Sequence, residues 1–279
     1  MYPTPLRDTA ASTPIRLDYV FCGLSLFGTL CILGWVLGYA SYGLDLTDES
    51  FYMVWISNHF IYDDSVSQFG FLYHPLYTAL GGDLVALRRA NILVVFLLSW
   101  ALIDAVLKQL LTDATTSTAY RLVISAGFAT VSLTAFSLWL TTPSYNSLNL
   151  QALLLTSIGL LHANKATSAT STAGWALIGV GGWLAFMAKP SSAAALAICV
   201  LVYLALSRKL SAKLFSVALP VIVIMLTMSA YFIDGSPLVF VQRILDALTL
   251  SRNVDSGHSF AEIFRFDGYT LTDYELDLL

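Results

Sequence analysis

Long apolar runs with almost no charge inside them dominate the chain, and that pattern admits few folds. Seven runs are legible, at residues 19–40, 85–107, 120–140, 148–163, 173–188, 192–207 and 214–233. A spanning helix needs about 20 mostly apolar residues. The expected fold is therefore all-α: a polytopic transmembrane helical bundle of about seven spans, with interfacial helices in its first outer loop. The fourth, fifth and sixth runs are short, so tilted or broken helices are expected there. Gly179, Gly181 and Gly182 in the fifth run predict a close helix contact. No internal repeat is visible, which weighs against a transporter built on inverted repeats.

Composition agrees. The 279 residues are 57% hydrophobic and 11% charged, against roughly 25% charged in soluble domains. Mean hydropathy is +0.73. The chain thus reads as an integral, multi-pass membrane protein in contact with lipid. A net charge of −4 argues against a nucleic-acid partner. Cys22, Cys31 and Cys199 sit in apolar runs at no metal-ligand spacing, which makes them small packing residues rather than a disulfide framework. The first apolar run is too long for the core of a signal peptide, so it is read as retained.

Lys and Arg in short loops set the orientation. With the N-terminus inside, eight lie inside: Arg7, Arg16, Lys108, Arg121, Lys165, Arg208, Lys209 and Lys213. Three lie outside near helix ends: Arg88, Arg89 and Lys189. Residues 1–18 are then a cytoplasmic tail, 19–233 a membrane module with an acidic outer loop at 41–84, and 234–279 an outer-face tail. Ser236-Pro237 signals a helix start in that tail. Gln242, Asp246 and Thr249 share one face of that helix, and an acidic segment from Asp267 to Leu279 follows.

The outer loop is the unusual stretch. Five carboxylates, Asp45, Asp48, Glu49, Asp63 and Asp64, fall within twenty residues, and no Lys or Arg lies between Arg16 and Arg88. Uncompensated carboxylates beside a membrane must face water, a cation or a substrate. Thr47 is placed to cap a helix with Asp48 and Glu49 in its first turn. That helix is expected over 48–59, lying on the outer surface with Phe51 and Trp55 turned inward. His74-Pro75 is expected to open a second short segment. The plainer reading is a solvated loop with an aromatic belt.

The Asp48-Glu49 pair, His74-Pro75, Arg88-Arg89, Lys189-Pro190 and the loop at 141–149 with Tyr145-Asn146 all face that outer side. An enzyme that moves a group off a lipid phosphate needs a carboxylate to take a proton and cations to hold the departing phosphate. Each signal has a bland counterpart. The arginine pair can anchor a helix end, Lys189 can snorkel, and a lone His74 is more often structural than a metal ligand. His59 and His258 carry less weight, and His162 lies inside. Asp104 is expected to face other helices or the inner boundary.

The order of the segments DESFY, YHPLYTALGGD, VALRRANIL and FMAKPSS resembles the polytopic GT-C glycosyltransferases. The closest likeness is to the branch containing protein O-mannosyltransferases and lipid A aminoarabinose transferases. The resemblance implies transfer of a sugar from a polyprenyl-phosphate carrier to an acceptor at the outer face, here of a bacterial inner (cell) membrane. Asp48 falls on the catalytic base, with Glu49 beside it. Lys189, with Arg88 or Arg89, falls on the carrier phosphate, within one outer cavity shared with Asp48. His74, Tyr145 and Asn146 join the substrate-binding set. Some relatives use a divalent metal ion, although no closed ligand set is legible here. Relatives often carry Asp where this chain has Asn146, and they usually continue with further helices. The chain thus matches an N-terminal module, and a missing C-terminal half or a partner subunit is expected. Two rivals stand beside the enzyme: a flippase for lipid-linked sugar, for which Asp104 is the one candidate ionisable path, and a catalytically silent membrane subunit.

Overall fold

The computed structural model describes residues 17–43, 48–62, 65–111, 117–138, 140–166 and 168–253. Regular structure among them is entirely helical: α1 (Leu17–Tyr39), α2 (Asp48–Ser57), α3 (Phe69–Ala79), α4 (Leu84–Leu110), α5 (Thr118–Ala129), α6 (Ala135–Leu138), α7 (Tyr145–His162), α8 (Ala169–Ala188), α9 (Pro190–Leu206), α10 (Leu219–Asp234) and α11 (Pro237–Asn253). Four stretches are long and apolar enough to cross a membrane: Tyr19–Tyr39, Leu84–Leu110, Ala169–Ala188 and Leu214–Asp234. Pro190–Leu206 is apolar but shorter.

The third apolar run is not one helix, and its hydroxyls explain why. After α5 the chain tightens into a 3₁₀ turn at Thr130–Thr134. Thr130, Ser132 and Thr134 each donate to the carbonyl three residues back, at 2.7, 2.8 and 2.7 Å. Such local bonds compete with the α-helical ladder and draw it towards three-residue turns. A second departure is at His74-Pro75. The helix begins five residues before His74, at Phe69, and Pro75 lies inside it. Phe69, Phe71 and Tyr73 are buried, and packing these aromatic side chains outweighs the backbone bond that proline forfeits.

The described chain divides into two compact units. The first comprises the described residues of 1–61 and 67–226. Its tightest helix pair is α7 against α8, where glycines remove the side chains between backbones. A Cβ on Gly159 would lie 2.8 Å from the Gly174 carbonyl oxygen, and one on Gly174 would lie 2.6 Å from the Ala163 nitrogen. The predicted glycine contact is present too: a Cβ on Gly179 would meet the Ala218 carbonyl at 2.6 Å, and one on Gly181 would collide with Thr156 Oγ1. Elsewhere, Ser25 of α1 donates to the Val123 carbonyl of α5 at 2.8 Å. Ile92, Phe96, Ala129 and Leu133 form a core with Ala40. The cysteines are free, Cys22 half-buried and the other two exposed.

One end of this unit is basic. Arg121 bonds Asp104 at 2.7 Å. Gln109 donates to the Leu161 carbonyl and Lys209 to the Leu160 carbonyl, each at 3.0 Å, and Lys213 donates to the Ala166 carbonyl. Loops read from sequence as inner thus gather at one end, and Asp104 faces a neighbouring helix as expected. The opposite end holds α2, α3 and the starts of α4 and α7.

The second unit comprises the described residues of 62–66 and 227–279. Gly235 turns the chain with φ +67, a left-handed conformation that suits glycine. Helix α11 begins at Pro237, as the Ser-Pro signal predicts. Arg243 and Asp234 pair at 3.0 Å across the turn, and Gln242 donates to Asp246 at 2.9 Å along one face.

Candidate functional site

The acidic pair at the start of α2 splits into two environments. Successive helical residues point about 100° apart, so Glu49 is buried at 1% exposure while Asp48 faces solvent. A buried carboxylate needs a partner, and Arg88 of α4 supplies it. Arg88 Nη2 lies 2.6 Å and Nε 2.9 Å from Glu49 Oε1. The same guanidinium donates to Thr142 Oγ1 at 3.1 Å, the Ala40 carbonyl at 3.0 Å and the Gly43 carbonyl at 2.9 Å. Thr142 also donates to Glu49. One arginine therefore ties the end of α1, the first turn of α2 and the loop before α7 to the start of α4. Arg's planar fork of five donors suits this task.

Asp83 caps α4, accepting from the Val85 and Ala86 amides at 2.8 and 3.2 Å, and so fixes the turn from which Arg88 projects. Ser144 and Ser147 form a reciprocal cap at the start of α7, which holds the Thr142 loop. Beneath it, Asn91 donates to the Thr141 carbonyl at 2.8 Å and Gln151 to Asn91 at 2.8 Å. Tyr73 closes the chain against Gln151 at 3.2 Å, and burial pushes its phenol pKa upward.

Aromatic packing seats α2 on α3. Trp55 is 2% exposed and its ring lies 4.7 Å from Phe69. A Cβ on Gly70 would lie 2.5 Å from Trp55 Cδ1, so glycine is required for that approach. Trp55 turns inward as expected. Phe51, expected to do the same, is 40% exposed, because Glu49, Tyr52, Trp55 and Ile56 take the buried face. Tyr145 packs edge-on against Tyr52 at 5.9 Å, and Asn146 is half-buried beside it in the first turn of α7.

The histidines form a feature that sequence spacing did not reveal. His59 and His74 stack with ring centroids 3.9 Å apart. His74 Nδ1 lies 2.8 Å from the Ile56 carbonyl, so that nitrogen carries a proton and donates. His59 Nδ1 is buried with no hydrogen-bond partner among the described residues. Desolvation, and secondarily charge repulsion from His74, lowers the His59 pKa. No group of three His, Cys, Asp or Glu residues able to hold a metal ion occurs among the described residues.

Arg89 and Lys189 remain at the surface of this end. Arg89 is exposed, with Nε 3.3 Å from the Leu37 carbonyl. Lys189 is exposed at the extended junction between α8 and α9. Two residues earlier, the Met187 carbonyl accepts from the Gln68 amide at 2.7 Å, which sets this junction beside the start of α3. Thr47, Asp45, Asp63, Asp64 and His258 lie outside the described residues.

No protein-family model, curated protein or solved structure matches the chain.

Proposed function

We propose that this chain is the membrane module of a glycosyltransferase that moves a sugar from a polyprenyl-phosphate carrier to an acceptor at the outer face. The module has seven spans: the four long apolar helices, α9, α7, and the broken run of α5 and α6. One observation carries the reading. Two adjacent carboxylates are divided between a buried ion pair and an exposed position, on a short helix anchored to four other segments. Glu49 and Arg88 hold the helix, and Asp48 is left free to work at a fixed place. Asp48 takes the proton as the acceptor attacks the anomeric carbon and the bond to the carrier phosphate breaks. Because Arg88 is occupied by Glu49, Thr142 and two carbonyls, we assign the phosphate to Lys189 and Arg89. His74, Tyr145 and Asn146 line the same end as positioning residues.

The flippase reading is less well supported. Its one intramembrane candidate, Asp104, is paired with Arg121 at the basic end. The test uses sealed vesicles containing the full chain and a polyprenyl-phosphate sugar labelled in the sugar. The reading expects label to leave the lipid and join an acceptor. Label that crosses the membrane still attached to its lipid would identify a flippase. Label that does neither would identify a silent subunit, and both results would overturn the proposal.

A further inference from the structure

The basic end of the first unit carries positive charge that its own helices do not balance. No Asp or Glu occurs between Asp113 and Asp234, a stretch that covers α5 to α9 and most of α10. Within it, Lys165 lies between α7 and α8, and Arg208, Lys209 and Lys213 lie between α9 and α10. Asp104, at the same end, is already taken by Arg121, and none of the four cations makes an ion pair with a described residue. Lys209 and Lys213 each spend one of three ammonium donors on a carbonyl near the C-terminal end of α7, Leu160 and Ala166. Lys165 and Arg208 are exposed and make no side-chain hydrogen bond with a described residue. The loops that carry them are fixed. Ala163, Trp175 and Leu204 are fully buried in one core, with Leu160 and Leu214 packed against it. Trp175 Nε1 and Ser171 Oγ donate to the Asn164 carbonyl at 3.1 and 2.8 Å, which sets the residue before Lys165. Arg208 ends α9 at φ +55, a left-handed conformation that side chains seldom adopt and that glycine would take at no steric cost. An arginine kept in a strained backbone marks a position where the side chain matters.

Apolar neighbours indicate what kind of anion is met there. Leu206, Leu210 and Phe215 are 80%, 50% and 68% exposed and are interleaved with Arg208, Lys209 and Lys213 along the chain. Such side chains lose free energy against water and none against lipid. Helix α8, long and apolar enough to cross a membrane, starts at Ala169 close to Lys165, which puts this end at headgroup depth. We propose that the loops between α7 and α8 and between α9 and α10 form a headgroup site for an anionic phospholipid. Lys165, Arg208, Lys209 and Lys213 supply its cations, and Leu206, Leu210 and Phe215 lie among the acyl chains. By the basic-loop rule the lipid belongs to the inner leaflet. The site lies at the end opposite Asp48 and goes beyond the transferase reading: it holds lipid whether or not the chain moves a sugar.

The experiment is native mass spectrometry of the full chain released from vesicles of phosphatidylglycerol and phosphatidylcholine in equal amounts. The proposal expects phosphatidylglycerol to be retained in preference, by a margin that shrinks as salt is added. Lys165→Gln and Arg208→Gln should each lower that preference about fivefold, the scale of one cation at a membrane surface. Arg208→Lys should keep it. Neither glutamine variant should change the unfolding temperature in phosphatidylcholine alone, because both side chains are exposed. Arg208→Gly should lose the preference equally without lowering the unfolding temperature, since glycine relieves the backbone. The two loops contribute separately, so Lys165→Gln reads the site if an Arg208 variant fails to fold. Equal retention of the two lipids by the native chain would overturn the proposal. So would a preference that all the variants keep, which would place the lipid elsewhere. Competition by glycerophosphoglycerol, the headgroup without acyl chains, as effective as that by the whole lipid would mark a site for a soluble anion and refute it. Displacement of the lipid by poly-glutamate would mark a protein-docking face and refute it as well.

Discussion

The Glu49–Arg88 pair decides most of what happens at single residues. Removing one member of a buried ion pair strands the other and costs about 3–5 kcal/mol. Glu49→Ala should therefore lower the unfolding temperature in detergent markedly, and Arg88→Ala should do so at least as much, since Thr142 and two carbonyls also lose a donor. The double variant should cost less than the sum, and strict additivity in that cycle would show the two side chains to be uncoupled. His59 gives a pH dependence. Burial and His74 lower its pKa, so the folded chain resists a proton that the unfolded chain accepts near the ordinary value of 6.5. The contribution is fully present above that pH and is lost as pH falls towards the lowered folded value. Melting followed from pH 8 to pH 5 should show this loss, and His59→Phe should reduce it; an unchanged slope in the variant would place the proton uptake elsewhere. Sequence could show that Asp48 and Glu49 were adjacent acids. It could not show their division of labour, because that depends on which side of the first turn of α2 meets α4. Arg88 is the first cation after Arg16 in the chain, and only the folded position of α4 makes it the partner of Glu49.

At the scale of elements, glycine spacing was informative and hydropathy was less so. The Gly179–Gly182 cluster foretold where α8 would be approached closely, since small residues in an apolar run have few other reasons to recur. Gly181→Ala should destabilise the chain by about 1–3 kcal/mol, as overpacking does, through collision with Thr156. Gly34→Ala is the control: no atom lies within 4 Å of its Cβ position, so its effect on the unfolding temperature should be neutral or slightly favourable. Equal effects at both sites would mean that helix propensity, and not contact, governs the response. Hydropathy marked the apolar run over 120–140 but could not see it break, because Thr130, Ser132 and Thr134 act through backbone carbonyls that averaging ignores. His74-Pro75 misled for a related reason. Proline is a local signal for a helix start, and the burial of Phe69, Phe71 and Tyr73 that overrides it is tertiary.

For the whole molecule, the sequence rule for basic loops and the gathering of Asp104–Arg121, Lys209 and Lys213 at one end point the same way. With that end inside, a cysteine at Ser65 should react with an impermeant reagent from outside and one at Ala212 should not. The opposite pattern would put the acidic loop on the wrong side for an outer-face transfer. The central claim is that Asp48 is a working base held by a structural neighbour. A positioned carboxylate contributes on the order of 10²–10⁴-fold. The direct measurement is sugar transfer from a polyprenyl-phosphate donor by membranes carrying the native chain or Asp48→Asn, with the unfolding temperature taken in parallel. The account predicts transfer by the native chain, loss of at least about a hundredfold in Asp48→Asn, and no change in stability because the side chain is exposed. Full transfer by Asp48→Asn would contradict it and make the acidic loop structural.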